Sequence, residues 1–217
     1  DLPKQRILEA TRGAILARAD AGLPLLLETL RAPDKAMFAI GLSAARELPG
    51  RAVTEGLAAE LERTPADRQG PLLLALAERK DAAALPAVFN AARSTSPALR
   101  LVAIELMTRT RDPASVPVLL EVLAGSDAAA TAAARSALLR LPGPLVDGQL
   151  AVRLRESTGP KRRALLELAG QRRVTAAVPE MVRASTDPEP AVRAAAIKAL
   201  GLTVNADDLG ALIGLLA

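Results

Sequence analysis

The sequence has no cysteine, histidine, tryptophan or tyrosine, and its aromatic residues are Phe38 and Phe89. Without cysteine there is no disulfide and no thiolate chemistry, so the redox compartment stays undetermined. Without histidine the chain lacks the commonest general base and the commonest metal ligand. The scarcity of aromatic residues argues against a β-sandwich, whose strands draw on aromatic and β-branched residues.

Sequence motifs of catalysis are missing as well. No Ser-His-Asp or Cys-His arrangement can form, no Gly-x-x-x-x-Gly-Lys-Ser/Thr phosphate loop occurs, and no acidic loop has EF-hand spacing. We therefore expect no enzymatic activity, no metal and no cofactor. No apolar run reaches the roughly 18 residues of a membrane span, and no signal peptide is visible. The localisation stays open between the cytoplasm and a periplasmic or secreted compartment.

The residues that are abundant favour helices. Half of the 217 residues are apolar, and most of these are leucine, alanine, valine and isoleucine. Leucine and alanine are good helix formers, and the small alanine side chain lets helices approach closely. The composition therefore predicts an all-α protein.

A repeat with a period of 31 residues runs along the chain. The pair Val178-Pro179 has counterparts whose prolines stand at positions 117, 86 and 24, so every interval is a multiple of 31. The stretch Pro190-Ala-Val-Arg193 returns as Pro97-Ala-Leu-Arg100, which is three periods earlier. Seven registers at one spacing indicate a repeat architecture.

Each repeat predicts a pair of antiparallel helices. Proline fits the first turn of a helix, and apolar residues recur at helical spacing after it, as Val116, Leu119, Leu120 and Leu123 do. A turn rich in Asp, Ser, Thr and Pro separates the two helices. We predict first helices at 22–31, 51–63, 82–93, 113–125, 144–156, 175–185 and 206–217. We predict second helices at 34–48, 66–80, 97–110, 127–141, 159–173 and 189–202, and one from an earlier repeat at 4–18.

This pattern resembles HEAT repeats, and it is most similar to the short bacterial kind called phycobilisome-lyase-like. The resemblance is carried by Asp112-Pro, Val116-Pro117 and Val192-Arg193, and by the later motif Ala199-Leu200-Gly201. It covers essentially the whole chain and is weakest at 144–173, which lacks the Val-Pro pair. It implies an α-solenoid, or α-α superhelix, of about six to seven stacked helix pairs, with second helices on the concave face.

We expect residues 1–217 to form a single HEAT-like repeat domain that is an excerpt of a longer protein. The predicted helix 206–217 is apolar almost all round, whereas a terminal repeat normally has a polar outer face. Flanking domains of the same chain, or a partner, would then cover that end.

The resemblance implies a non-catalytic scaffold that binds a protein or a peptide. Helical counting predicts a concave face on the side of the second helices opposite the apolar stripe. Its candidate residues are Leu74, Leu101, Glu105, Arg109, Ser136, Arg140 and Glu167. The face mixes charges and lacks the basic track and stacking aromatics of a nucleic-acid groove. A shift of one residue in the helix phase would instead bury Leu74 and Leu101.

The resemblance also implies a structural role for three polar residues. In HEAT-like repeats an acid in the turn and an arginine early in the second helix link neighbouring repeats by hydrogen bonds. Here the acid is Asp187 and the arginines are Arg193 and Arg100, with Arg162 at the same register.

An excess of basic residues between 151 and 183 forms the alternative site. This window holds eight basic residues against three glutamates, a balance of +5 that exceeds the +4 of the whole chain. We call its first seven members the basic cluster: Arg153, Arg155, Lys161, Arg162, Arg163, Arg172 and Arg173, with Arg183 following. Such a cluster would bind nucleic acid, another polyanion or an acidic partner; otherwise it is a solvated helix face. As the partner of this chain, a nucleic acid is a weaker hypothesis than a protein.

Overall fold

The computed structural model describes residues 3–204, so the predicted helix at 206–217 lies outside the described part. Within residues 3–204 all regular structure is helical, with thirteen α-helices and three short 3-10 turns. The second helices of the repeats are α1 (Lys4–Ala17), α3 (Lys35–Glu47), α5 (Ala66–Glu78), α7 (Pro97–Thr110), α9 (Ala128–Arg140), α11 (Gly159–Arg172) and α13 (Pro190–Thr203). Each of them begins 31 residues after the one before, as the sequence repeat predicts.

The first helices follow the repeat less strictly. They are α2 (Leu23–Arg31), α4 (Arg51–Leu61), α6 (Leu85–Ala91), α8 (Ser115–Leu123), α10 (Gly143–Glu156) and α12 (Val178–Ala184). Short 3-10 turns at Ala82–Ala84 and Thr175–Ala177 occupy the predicted starts of α6 and α12. In both repeats the α-helix begins one residue before a proline, because proline lacks an N–H and fits the first helical turn.

The chain divides into two compact units, residues 1–106 and 107–217. In the first unit α3 packs against α1, α2 and α5, and α4 packs against α5. In the second unit α8 packs against α9, and α13 packs against both α11 and α12. Second helices thus stack on second helices while each first helix lies against its own partner, which is the arrangement of an α-solenoid.

Aliphatic residues and small residues build the core of both units. Leu26, Leu57 and Leu76 are fully buried in the first unit, and Leu119 and Leu138 in the second. Small residues set the spacing of the second helices. A Cβ at Gly170 of α11 would lie 2.7 Å from the Cα of Ala199 in α13, so only glycine permits this approach.

The ends of the second helices carry recurring caps. Asp34 and Asp127, which stand 93 residues apart, accept backbone N–H bonds at the starts of α3 and α9. At the other end Lys80, Arg111 and Arg173 occupy one register and adopt left-handed backbone with φ of 55°, 53° and 54°. This conformation reverses the chain after the last helical turn. Arg173 is therefore the C-cap residue of α11, and its backbone N–H bonds the carbonyls of the last helical turn.

No helix within residues 3–204 combines the length and the apolar character that crossing a membrane requires.

Candidate interaction surfaces

The candidate face on the second helices lies away from the core. Leu101 is 40% exposed, and its neighbours along α7, Glu105 and Arg109, are exposed too. Ser136 and Arg140 are exposed on α9. Leu74 on α5 and Glu167 on α11 are half-buried. The helix phase therefore matches the one expected from the sequence, and a binding role for these residues stays a prediction.

Ion pairs between consecutive second helices run along this exposed side. Arg12 of α1 donates from Nε to Glu47 Oε1 of α3 over 3.1 Å, and Arg46 of α3 pairs with Glu78 of α5. These pairs were not predicted from the sequence, although an arginine followed by a glutamate about one period later is a pattern that indicates them.

The second unit repeats this arrangement at Glu167. Its carboxylate accepts from Arg135 Nη2 of α9 over 2.9 Å and lies 3.7 Å from Arg163 Nε on its own helix. Glu167 therefore belongs to a group of ion pairs between two repeats. A ligand that binds Glu167 would have to compete with Arg135 and Arg163 for its carboxylate.

The expected link between repeats exists at Asp187, but its arginine is Arg162. Arg162 Nη1 donates to Asp187 Oδ2 over 2.9 Å, and the two side chains are only 13% and 11% exposed. Within residues 3–204, Arg193 instead donates to the backbone carbonyls of Asp187 and Pro188 in its own turn. The repeat that follows α13 lies outside the described residues, so the link from Arg193 to a neighbouring repeat stays a prediction.

Arg100 holds its own turn in the same way. Its Nη1 donates to the carbonyl of Ser94 over 2.6 Å, six residues upstream, as Arg193 does to Asp187. Thr131, at the same register, bonds the carbonyl of Gly125 through its hydroxyl. Arg100, Thr131 and Arg193 thus each bond the turn between the two helices of their own repeat, whereas Arg162 at the same register bonds Asp187 of the next repeat.

Arg172 belongs to the framework and not to an exposed basic cluster. Its side chain is 7% exposed. Its Nε donates to Asp147 Oδ1 of α10 over 2.8 Å, and its Nη1 donates to the carbonyls of Leu138 and Leu141 at the end of α9. These carbonyls have no partner inside their own helix, so Arg172 caps the preceding second helix.

Arg79 does the same in the first unit. It stands 93 residues before Arg172 and donates to Thr54 Oγ1 over 2.9 Å. It also donates to the carbonyls of Ala45 and Leu48 at the end of α3 and to that of Gly50 just before α4. Burial lowers the pKa of the Arg79 guanidinium from its ordinary value, but an arginine stays charged at any ordinary pH. The shared register of Arg79 and Arg172 is the signal that sequence reasoning overlooked.

The buried glutamate of α12 engages two further basic residues. Glu180 lies in the core beside two exposed arginines, accepting from Arg155 Nε over 3.1 Å and from Arg183 Nη1 over 2.8 Å. A buried carboxylate requires such partners. The two arginines therefore neutralise a core charge, although both remain partly accessible.

The basic cluster is thus not a continuous cationic surface. The expectation that Arg162 and Arg172 contribute to an exposed patch does not fit the structure, because their side chains are only 13% and 7% exposed and both are paired. Asp147 and Asp187, which lie outside the 151–183 window, supply the missing negative charges. Within residues 3–204, the ion pair that the Arg153 side chain makes is a long one, 3.9 Å to Glu156.

A small cavity in the second unit collects two members of the basic cluster. It lies between α8, α10 and α11 and has a volume of about 190 Å³. Its lining residues are Pro117, Leu120, Glu121, Arg153, Lys161 and Leu165. Within residues 3–204 no group of three acidic side chains is placed to hold a metal ion.

The chain was compared with protein families, with curated proteins and with solved structures. The chain matches the family model of HEAT repeats over residues 54–139 and 149–217. No curated protein matches the chain. Among solved structures it is similar to an engineered protein whose crystal structure comes from the Northeast Structural Genomics Consortium. The identity is 15%, the TM-score is 0.42, and the match covers 83% of this chain and 96% of that one.

Proposed function

Since the chain belongs to the HEAT-repeat family, whose stacked helices commonly serve as scaffolds for other proteins, we propose that it is a non-catalytic scaffold. Its partner is a protein or a peptide, and the binding surface in each unit is the exposed face of the second helices of that unit. Fold alone does not assign a function, so the proposal depends on the residues of that face.

The observation that carries the proposal is the exposure of large aliphatic side chains on this face. Leu101 on α7 and Leu139 on α9 are 40% and 41% exposed. Each stands among charged and polar neighbours, such as Glu105 beside Leu101 and Arg140 beside Leu139. Aliphatic anchors with a polar surround are typical of protein-binding surfaces.

The ion pairs between second helices support the same function. The pairs Arg12–Glu47 and Arg46–Glu78 hold long side chains in fixed positions in the first unit. A surface whose side chains are already ordered loses less conformational entropy when a partner binds. The glutamates on this face also disfavour the phosphates of a nucleic acid.

Selection of peptides tests the proposal. A phage-displayed random peptide library is panned on the protein, and the recovered peptides are measured against the variants Leu101→Glu and Leu139→Glu. Ala52→Glu, which adds the same charge at an exposed position of α4, is the matched control. Melting curves verify that all three variants are folded.

The proposal is supported by peptides that bind the native protein and the control equally but bind either leucine variant about tenfold more weakly or worse. Such a loss is expected because a buried charge opposite an apolar anchor costs at least about 1.4 kcal/mol. Peptides that bind both leucine variants as tightly as the native protein would overturn it.

A further inference from the structure

Lys161 stands where other repeats bury an apolar side chain. The residues at its register in three other repeats are Leu99, Ala130 and Val192, and all three are buried in the core. Lys161 is exposed. A charged residue at a position that the repeat reserves for packing leaves part of the apolar surface uncovered.

Arg68 is another basic residue at this register, but its side chain has hydrogen-bond partners that Lys161 lacks within residues 3–204. Arg68 occupies the same register 93 residues earlier, but its guanidinium donates to the carbonyls of Ala32 and Pro33 over 2.6 and 2.9 Å. Within residues 3–204, Lys161 makes no such hydrogen bond and no ion pair. Lys161 therefore has donors to offer, and it lines the 190 Å³ cavity.

The cavity combines positive charge with an apolar wall. Leu120 and Leu165 are buried residues whose side chains line it, together with Pro117. Arg153 lines it as well, and its contact to Glu156 is a long, exposed pair within one helix, which binds the guanidinium weakly. Two cations face one carboxylate, that of Glu121, so the site favours an anion.

The size of the cavity limits the anion. Pockets for cofactors and drug-sized ligands measure about 300–1,000 Å³, so a cavity of about 190 Å³ has room for a single amino-acid residue and not for a nucleotide. The apolar wall calls for an aliphatic group next to the carboxylate. Glu121 has a partner of its own, but a carboxylate has about four acceptor sites and can still accept a peptide N–H.

We propose that this cavity binds the C-terminal residue of a partner chain. The terminal carboxylate contacts Arg153 and Lys161, the aliphatic side chain packs on Leu120 and Leu165, and the last peptide N–H donates to Glu121. Capture of a terminal carboxylate is a known mode of peptide recognition. This inference depends on the proposed role as a protein-binding scaffold and names the part of the partner that one site recognises.

Methyl NMR of the whole chain tests the inference with three probes. They are acetyl-Gly-Ala-Leu with a free carboxylate, the same peptide as its amide, and acetyl-Glu-Ala-Leu amide, which carries an acidic side chain only. We expect saturable shifts of the Leu120 and Leu165 methyl signals with the first probe, and binding weaker by about tenfold or more with both amides, because charge-assisted bonds contribute about 1.5–3 kcal/mol.

Variants locate the site. Arg153→Gln and Lys161→Gln should each weaken the first probe by about fivefold or more. Lys198→Gln removes the same charge from an exposed position on α13, outside the cavity, and should change nothing. Lys161→Val restores the apolar residue of the repeat, so it should abolish binding while raising the melting temperature.

Equal binding of the carboxylate and its amide would overturn the inference, and so would tighter binding of the acidic-side-chain probe. Unshifted methyl signals at about 10 mM probe, a concentration well above an ordinary weak Kd of about 1 mM, would overturn it too. None of these outcomes affects peptides that depend on Leu101 or Leu139, so the wider proposal of a scaffold is judged separately.

Discussion

Arg162 in α11 and Asp187 in the turn before α13 form an ion pair of 2.9 Å that joins two consecutive repeats. The pair is nearly buried, and the Nε of Arg162 is buried without a partner within the described structure. Removing two charges from water is costly, and the cost is recovered only while both partners are present. The pair therefore fixes how these repeats stack, at the position where a surface site was expected.

A double-mutant cycle tests the strength of this link. Arg162→Met and Asp187→Asn should each destabilise the protein by about 3 kcal/mol, because each leaves the other charge buried and alone. The double variant should cost less than the sum of the two, by about 1–3 kcal/mol. Urea unfolding provides the measurement, and the exposed i,i+4 pair Arg51–Glu55 is the control, for which a coupling of no more than about 0.5 kcal/mol is expected. Additive effects at Arg162 and Asp187 would contradict a structural pair.

Arg172 should be essential for stability, whereas its neighbour in sequence should not. Arg172→Met removes the donors of the Leu138 and Leu141 carbonyls and leaves Asp147 unpaired, so we expect a loss of about 3 kcal/mol in urea unfolding. Arg173→Gln removes the same charge from the exposed cap residue and should change stability by less than about 0.5 kcal/mol. Similar losses for the two variants would show that Arg172 does not act as a clamp.

Asp81 should titrate below the ordinary range of an aspartate. The hydroxyl of Thr54 donates to its carboxylate, the backbone N–H of Ala83 donates as well, and Arg79 and Arg51 lie nearby; these contacts lower the pKa of Asp81. Because the folded pKa lies below the unfolded one, the contribution to stability is present above the unfolded pKa, at about 3.9, and is lost as the pH falls through the folded pKa.

The variant Thr54→Val should raise the pKa of Asp81 toward its ordinary value, because it removes the largest contribution. Carboxyl ¹³C NMR titration measures the pKa of Asp81 in both proteins. An unchanged Asp81 titration in the variant would contradict the role of the Thr54 hydroxyl.

The basic cluster should not bind nucleic acid tightly. Its buried members are engaged by Asp187 and Asp147, and a duplex needs several free cations along one track. Titration of labelled single- and double-stranded DNA at low and moderate salt should show no steep salt dependence. Arg162→Glu/Arg163→Glu should then lose stability without any change in DNA binding. Tight, salt-sensitive binding that this variant abolishes would revive the polyanion alternative.

The sequence alone determined the helices and their order. Proline, capping residues and the apolar stripe act within one helix and its nearest turn, so the 31-residue period predicts the start of each described second helix to within one residue. The same local periodicity predicted that Leu101 lies on the exposed side of its helix. The starts of α6 and α12 were predicted too early, since alanine-rich segments such as Ala82–Ala84 suit a 3-10 turn as well as a helix.

Only the tertiary structure decided which charges are available. Counting charges between 151 and 183 suggested a cationic surface, but Asp147 and Asp187 lie outside that window and pair with Arg172 and Arg162 across 25 residues of chain. The cavity at Lys161 likewise exists because three helices meet there. Periodicity tells which side of a helix a residue occupies, whereas a contact between helices depends on side-chain reach and on how the backbones pack, and neither is a local property of the sequence.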